Sequence, residues 1–225
     1  MAFSEFLESR RARAKALVAA LKEQFEYVSV LGVDTRSKHI MVNANSSGIL
    51  NGDDTECGFV VKINNGGCFF EYSMDDIGAD IPAAAAQVKE SFTVSKLLRE
   101  GSIDRIVLKD EPLVQSFARP TDLTSYSDKD VLSFVQKTQK ELQAKSEHIL
   151  NAMIRVSTLE VSKLFVSANR ELDQNYTWIN GFMGLAYREN DKTVQLFGFC
   201  DSANMADIMA ELPGKMDDLV DRAHH

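Results

Sequence analysis

Apolar residues recur at helical spacing from the first residues of the chain. Phe3, Phe6, Leu7, Ala14, Leu17, Val18 and Leu21 fall on one stripe, with Arg10, Arg11, Arg13 and Lys15 between them. This spacing predicts an amphipathic helix, with Ser4 as its N-cap. From Tyr27 the pattern shortens to that of strands: Tyr27 to Val33, His39 to Ala44, Ser47 to Leu50 (broken by Asn51-Gly52), Cys57 to Ile63 and Gly67 to Tyr72. Asn64-Asn65-Gly66 supplies the positive φ angles of a tight turn between the last two, so the region reads as an antiparallel meander. Helix returns from Ile81 to Leu98, where Pro82 suits a first turn and Ala83 to Ala86 favour helix.

Gly101 to Tyr126 carries Pro112 and Pro120 and reads as an irregular crossing segment. Asp128 then caps a helix running to about Lys145, with Val131, Leu132, Phe134, Val135, Thr138 and Leu142 on one face. A second β region follows: Ile149 to Leu159, Lys163 to Ala168, Tyr176 to Arg188 and Thr193 to Cys200, with Asn190-Asp191-Lys192 as a hairpin loop. A final helix is expected from Leu212 onward, with Pro213 in its first turn. The layout predicts an α+β fold of antiparallel meanders packed with helices. It has two related halves, residues 1–100 and 128–225, joined by a crossing segment at 101–127.

Composition narrows the function more than the fold. The 225 residues are 44% hydrophobic and 26% charged, the usual balance of a globular protein. Four prolines and twelve glycines leave no room for a long flexible linker. A formal net charge of -8 disfavours binding to nucleic acid or to anionic lipid, both of which need a basic surface. Ser4 to Glu26 alternates charged and apolar residues, unlike a secretory leader, and no apolar run approaches the ~20 residues of a membrane span. Cys57, Cys68 and Cys200 are few, odd in number and without CxxC spacing. They read as buried free thiols in a reducing cytoplasm.

The search for chemistry ends without a catalytic, cofactor-binding or metal-ligating residue. His39 and His148 sit in or beside strands with no His-Glu-x-x-His arrangement. His224 and His225 are adjacent, and neighbours on a helix point about 100° apart, a poor ligand geometry. Asp53-Asp54 with Glu56, and Asp75-Asp76, lack the alternating spacing of a calcium loop. Gly66-Gly67 leads into a strand rather than a helix, so it presents no helix N-terminus to a phosphate.

Two stretches resemble the TldD/PmbA family of peptidases. The first is Gly58-Phe59-Val60-Val61-Lys62-Ile63, the turn Asn64-Asn65-Gly66-Gly67, then Phe69-Phe70-Glu71-Tyr72-Ser73-Met74-Asp75-Asp76-Ile77, followed by the alanine-rich helix. The second is Leu164-Phe165-Val166-Ser167-Ala168-Asn169-Arg170-Glu171, then Tyr176-Thr177-Trp178-Ile179; the family's glycine after the serine is replaced here, with Asn169-Arg170 near its place. The resemblance implies the N-terminal half of a zinc metallopeptidase acting in the cytoplasm on small or unfolded peptides. Its His-Glu-x-x-x-His zinc motif would lie beyond the last helix seen here, so zinc is expected of the catalytic branch and not of these residues. The family forms homodimers or heterodimers around an inner cavity, which implies a wall-forming and dimerising role. Tyr176 and Trp178 are the candidate peptide contacts. The competing expectation is a non-catalytic binding or assembly module.

Overall fold

The computed structural model describes residues 3–52, 54–66, 68–97, 108–119, 123 and 125–224. Helix α1 (Glu5–Lys22) begins at Ser4, whose hydroxyl accepts from the Leu7 amide as an N-cap does. Strands β1 (Tyr27–Val42), β2 (Ser47–Asn51), β3 (Glu56–Asn65) and β4 (Cys68–Met74) follow, then α2 (Ile81–Leu97). The short β5 (Leu113–Ala118) precedes α3 (Asp128–Gln143). Strands β6 (Ile149–Ser167), β7 (Arg170–Glu189) and β8 (Lys192–Ser202) lead to α4 (Met205–Glu211), a 3-10 turn (Leu212–Lys215) and α5 (Met216–Ala223).

All eight strands join one sheet, ordered β4-β3-β1-β6-β7-β5, with β2 also on β1 and β8 also on β7. Its centre is the antiparallel pair β1–β6, in register from Ser29 opposite Ser167 to Val42 opposite Ile154. From this seam each half runs outward in the same order, β1-β3-β4 on one side and β6-β7-β8 on the other. The fold is α+β, as the pattern predicts. Residues 98–107, which fall partly in the expected crossing segment, lie outside the described residues.

The helices cover one face only. Val28 and Val30 on β1 and Leu164 and Val166 on β6 enter a core with Leu7, Leu17 and Leu21 of α1 and Val88 of α2. Ile40 and Val42 on β1 and Ile154 and Val156 on β6 enter a second core with Val135 and Leu142 of α3 and Leu212 and Leu219 near the C-terminus. All eight strand positions are even-numbered, and residues two apart along a strand share a face. Both cores therefore lie on the same side of the sheet and share its two central strands.

Several elements differ from expectation. β1 reads as two strands because Asp34 to Lys38 is polar, yet it is continuous. Its polar groups are satisfied in place: Asp34 accepts from the Ser4 hydroxyl at 2.5 Å, Thr35 donates to the Asp54 carbonyl at 2.7 Å, and the Ser37 amide donates to Thr55 at 3.0 Å. β6 also runs through its expected break, because Ser162 pairs opposite Asp34. β5 forms inside the supposedly irregular segment and pairs parallel to β7, the one parallel pairing among the described residues. Pro112 precedes it, and proline is tolerated where a strand starts at a sheet edge. Ser127, not Asp128, caps α3: its hydroxyl accepts from the Asp130 amide while the Asp130 carboxylate accepts from the Ser127 amide. The β3–β4 turn sits one step later than expected. Asn64 and Asn65 belong to β3 and the positive φ falls on Gly66, with Gly67 outside the described residues. At the other hairpin Asn190 and Asp191 both take positive φ, +48° and +60°, the signature of a two-residue turn.

Candidate functional site

With every described helix on one side, the opposite face of the sheet carries no helix among the described residues. Its residues follow from register. On β1 they are odd-numbered and on β6 likewise; on β7 they are even-numbered, because Ser157 stands opposite Asn180. On β8 they are again odd, because Asn180 stands opposite Asp201.

One rung is polar across β1, β6, β7 and β8, formed by His39, Ser157, Asn180 and Asp201, with Leu50 of β2 beyond His39. His39 Nδ1 is 2.8 Å from Ser157 Oγ, and Asn180 donates to Asp201 Oδ1 at 2.9 Å. The backbone of Gly52 packs over the β1 end of this rung, and its amide donates to the Ser37 carbonyl. The rung separates two aromatic patches. Toward β5, Trp178 is 46% exposed, Arg119 lies 4.2 Å above its ring, and Phe117 packs edge-on against Tyr176. Toward β8, Phe182 is enclosed by Phe197 and Phe199, which are 47% and 55% exposed. Exposed aromatics gathered on one face mark a contact surface.

The two candidate peptide contacts, Tyr176 and Trp178, thus stand together on the open face and outside both cores. Phe197, Phe199, Arg119 and Arg155 share that face and escape the sequence reading. Their signal is only the alternation of Phe197 and Phe199 with Leu196, Gly198 and Cys200 along β8.

The donor groups a zinc ion would need do not converge. His39 is engaged with Ser157, the His148 ring packs on Tyr187, and His224 Nδ1 is 2.9 Å from the Tyr187 hydroxyl. Among the described residues no three His, Cys, Asp or Glu side chains gather as a metal site requires, and His225 and Asp53 lie outside them. Among the described residues, then, no donor set fits the zinc that the resemblance implies. Asp76 takes a bidentate hydrogen bond from the Arg10 guanidinium, which holds its carboxyl below the usual range. Cys200 is buried, and burial raises its thiol pKa. Cys57 is exposed, contrary to the expectation of buried thiols. It is the second residue of β3, at the rim of the sheet, where the core has not yet begun at Phe59. No described helix is long and apolar enough to cross a membrane.

The sequence matches no family model and no curated protein. Its structure is similar to that of a candidate modulator of DNA gyrase from Bacteroides thetaiotaomicron, with a TM-score of 0.76 at 13% identity over 96% of this chain and 49% of that one. A second candidate modulator, from Thermotoga maritima, gives a TM-score of 0.67 at 12% identity over 95% of this chain and 47% of that one. TldE from Thermococcus kodakarensis gives 0.61 at 14% identity over 92% and 45%. The resemblance read from the two sequence stretches holds at the level of the fold: this chain takes the fold of the TldD/PmbA proteins and spans about half the length of those it resembles.

Proposed function

We propose that this chain is the cavity-forming and dimerising region of a TldD/PmbA-type zinc metallopeptidase, and that its open sheet face meets small or unfolded peptides. The observation that carries this reading is the open face itself, with Trp178 and Tyr176 beside each other and no described helix over them. An extended peptide presents alternate side chains to such a surface and hydrogen-bonds along a sheet edge, which a folded protein does not. The zinc and its ligands lie outside these residues in this reading, so the chain contributes shape, contact and assembly. Residence in the cytoplasm and pairing with a second copy or a family member belong to the same proposal.

Trp178 is the only tryptophan, so its fluorescence reports directly on this face. Titration with an unstructured apolar decapeptide is expected to shift its emission to the blue. Trp178→Ala should weaken the calorimetric affinity roughly tenfold, the scale of an interfacial aromatic anchor. An unshifted emission together with unchanged affinity in the variant would remove the peptide-contact role.

The dispersed donor groups favour a second reading, a non-catalytic binding or assembly module. Metal analysis of the protein extended to the length of its structural neighbours separates the two. Stoichiometric zinc supports the peptidase region, and a metal-free dimer supports the assembly module.

A further inference from the structure

Along the open face of β6, Met153, Arg155 and Ser157 follow one another, and opposite them on β7 stand Gly184, Phe182 and Asn180. Met41 of β1 lies across from Arg155 on its other side. The Arg155 guanidinium carbon is 5.0 Å from the centre of the Phe182 ring. Its Nε is buried without a hydrogen-bond partner, and no carboxylate among the described residues pairs with it. The flanking open-face residues Met41, Met153, Ser157 and Phe182 carry no negative charge, and Asp201, at the end of the next rung, is engaged by Asn180. A guanidinium held against an aromatic ring with no internal counter-charge is arranged for an external anion. Its planar fork suits a carboxylate.

One rung further, Gly184 lets the rings close against the strand: a Cβ there would meet Phe182 at 3.1 Å and Phe197 at 3.4 Å. Beside it lies an open groove of about 140 Å³ lined by Met153, Ala186 and Phe197 together with Asn151 and Gln195. It has room for one aliphatic side chain. Positions two apart along a strand are separated by ~7 Å. A terminal leucine spans ~5 Å from its carboxylate carbon to its methyl groups, and its contacts at each end make up the rest.

We propose that Arg155 and the groove beside Gly184 form a subsite for the C-terminal residue of a peptide, with the α-carboxylate on Arg155 and an apolar side chain in the groove. This rests on the peptide-contact reading and adds to it a preference for free C-termini ending in a residue such as leucine. Chain-internal segments lack the terminal carboxylate and bind more weakly at this point.

Calorimetric titration of the 225-residue chain with acetyl-Ala-Ala-Leu as free acid, the same peptide as amide, and acetyl-Ala-Ala-Ala as free acid tests it. The leucine acid is expected to bind about tenfold more tightly than its amide, the range of one charge-assisted hydrogen-bond pair. Arg155→Gln should abolish that ratio and Arg155→Lys should restore part of it. Gly184→Ala should reduce the advantage of leucine over alanine. Equal binding of acid and amide overturns the subsite while leaving the peptide-contact reading intact, and so does a ratio that survives Arg155→Gln. Absence of binding by all three peptides overturns both. If a variant fails to fold by circular dichroism, the acid and amide comparison on the unaltered chain still decides.

Discussion

Arg11 of α1 and Glu171 of β7, 160 residues apart in sequence, meet at 2.9 Å. The same guanidinium reaches Asp173 at 3.1 Å and Glu8 at 2.8 Å, and Lys15 also pairs with Glu171. Both Arg11 and Glu171 are largely shielded, so the cluster ties the first helix to the start of β7 more firmly than an exposed ion pair would. Lys15 and then Arg11 hold the Glu171 carboxyl below its usual range.

Arg11→Gln should therefore lower stability by about 1 kcal/mol at neutral pH. The sign of the pH dependence follows from the lowered pKa. The stabilisation is complete above the unfolded value of about 4.3 and is lost as pH falls through the lower folded value. Urea midpoints of the two proteins should differ at pH 7 and converge as pH falls below the carboxylate range.

Gly52 has no room for a side chain. A Cβ there would lie 1.9 Å from Ser37 Oγ and 2.6 Å from His39 Nε2. Gly52→Ala should cost about 1–3 kcal/mol, the usual range for overpacking. Gly48→Ala, where nothing lies within 4 Å, should be near neutral. Thermal unfolding of the two variants, both in or beside β2, provides the contrast.

The two cores share β1 and β6, so they should melt together. Leu17→Ala in the first core and Leu142→Ala in the second each remove a fully buried side chain. Each should cost about 2–5 kcal/mol and shift a single calorimetric transition. Two resolved transitions, each moved by only one of the substitutions, would show that the halves unfold separately.

Cys57 is exposed and Cys200 is buried with a raised pKa. Brief iodoacetamide treatment of the native protein followed by peptide mass spectrometry should find Cys57 modified and Cys200 protected. Cys200 should react only in denaturant. Equal labelling of both would contradict the packing of Gly181 and Ile208 around Cys200.

Much of this was legible in sequence because it is local. The α1 stripe of Leu7, Leu17, Val18 and Leu21 specifies a buried helix face by spacing alone, and Asn190-Asp191-Lys192 marks a hairpin loop, which the structure tightens to a two-residue turn by placing Lys192 in β8. The candidate face was legible only in part. Tyr176 and Trp178 stood out as aromatics on a strand, but alternation says that two faces differ and not which one a helix will cover. Arg155 gave no signal, since a lone arginine in a strand reads as surface until its neighbours across the sheet are known.

The chain's own residues determined the helices, most of the strands, the hairpin at Asn190-Asp191 and the α+β class, because periodicity and turn chemistry act over a few residues. Only the tertiary structure decided that Tyr27 to Val42 is one strand, since Ser4, Asp54 and Thr55 satisfy its polar centre from elsewhere in the chain. It also decided that both cores lie on one side of a single sheet. The register of β1 against β6 puts even-numbered residues of both halves under the helices and leaves His39, Arg155 and Trp178 on the open face. Register joins residues more than a hundred positions apart, and a shift of one residue would exchange the two faces.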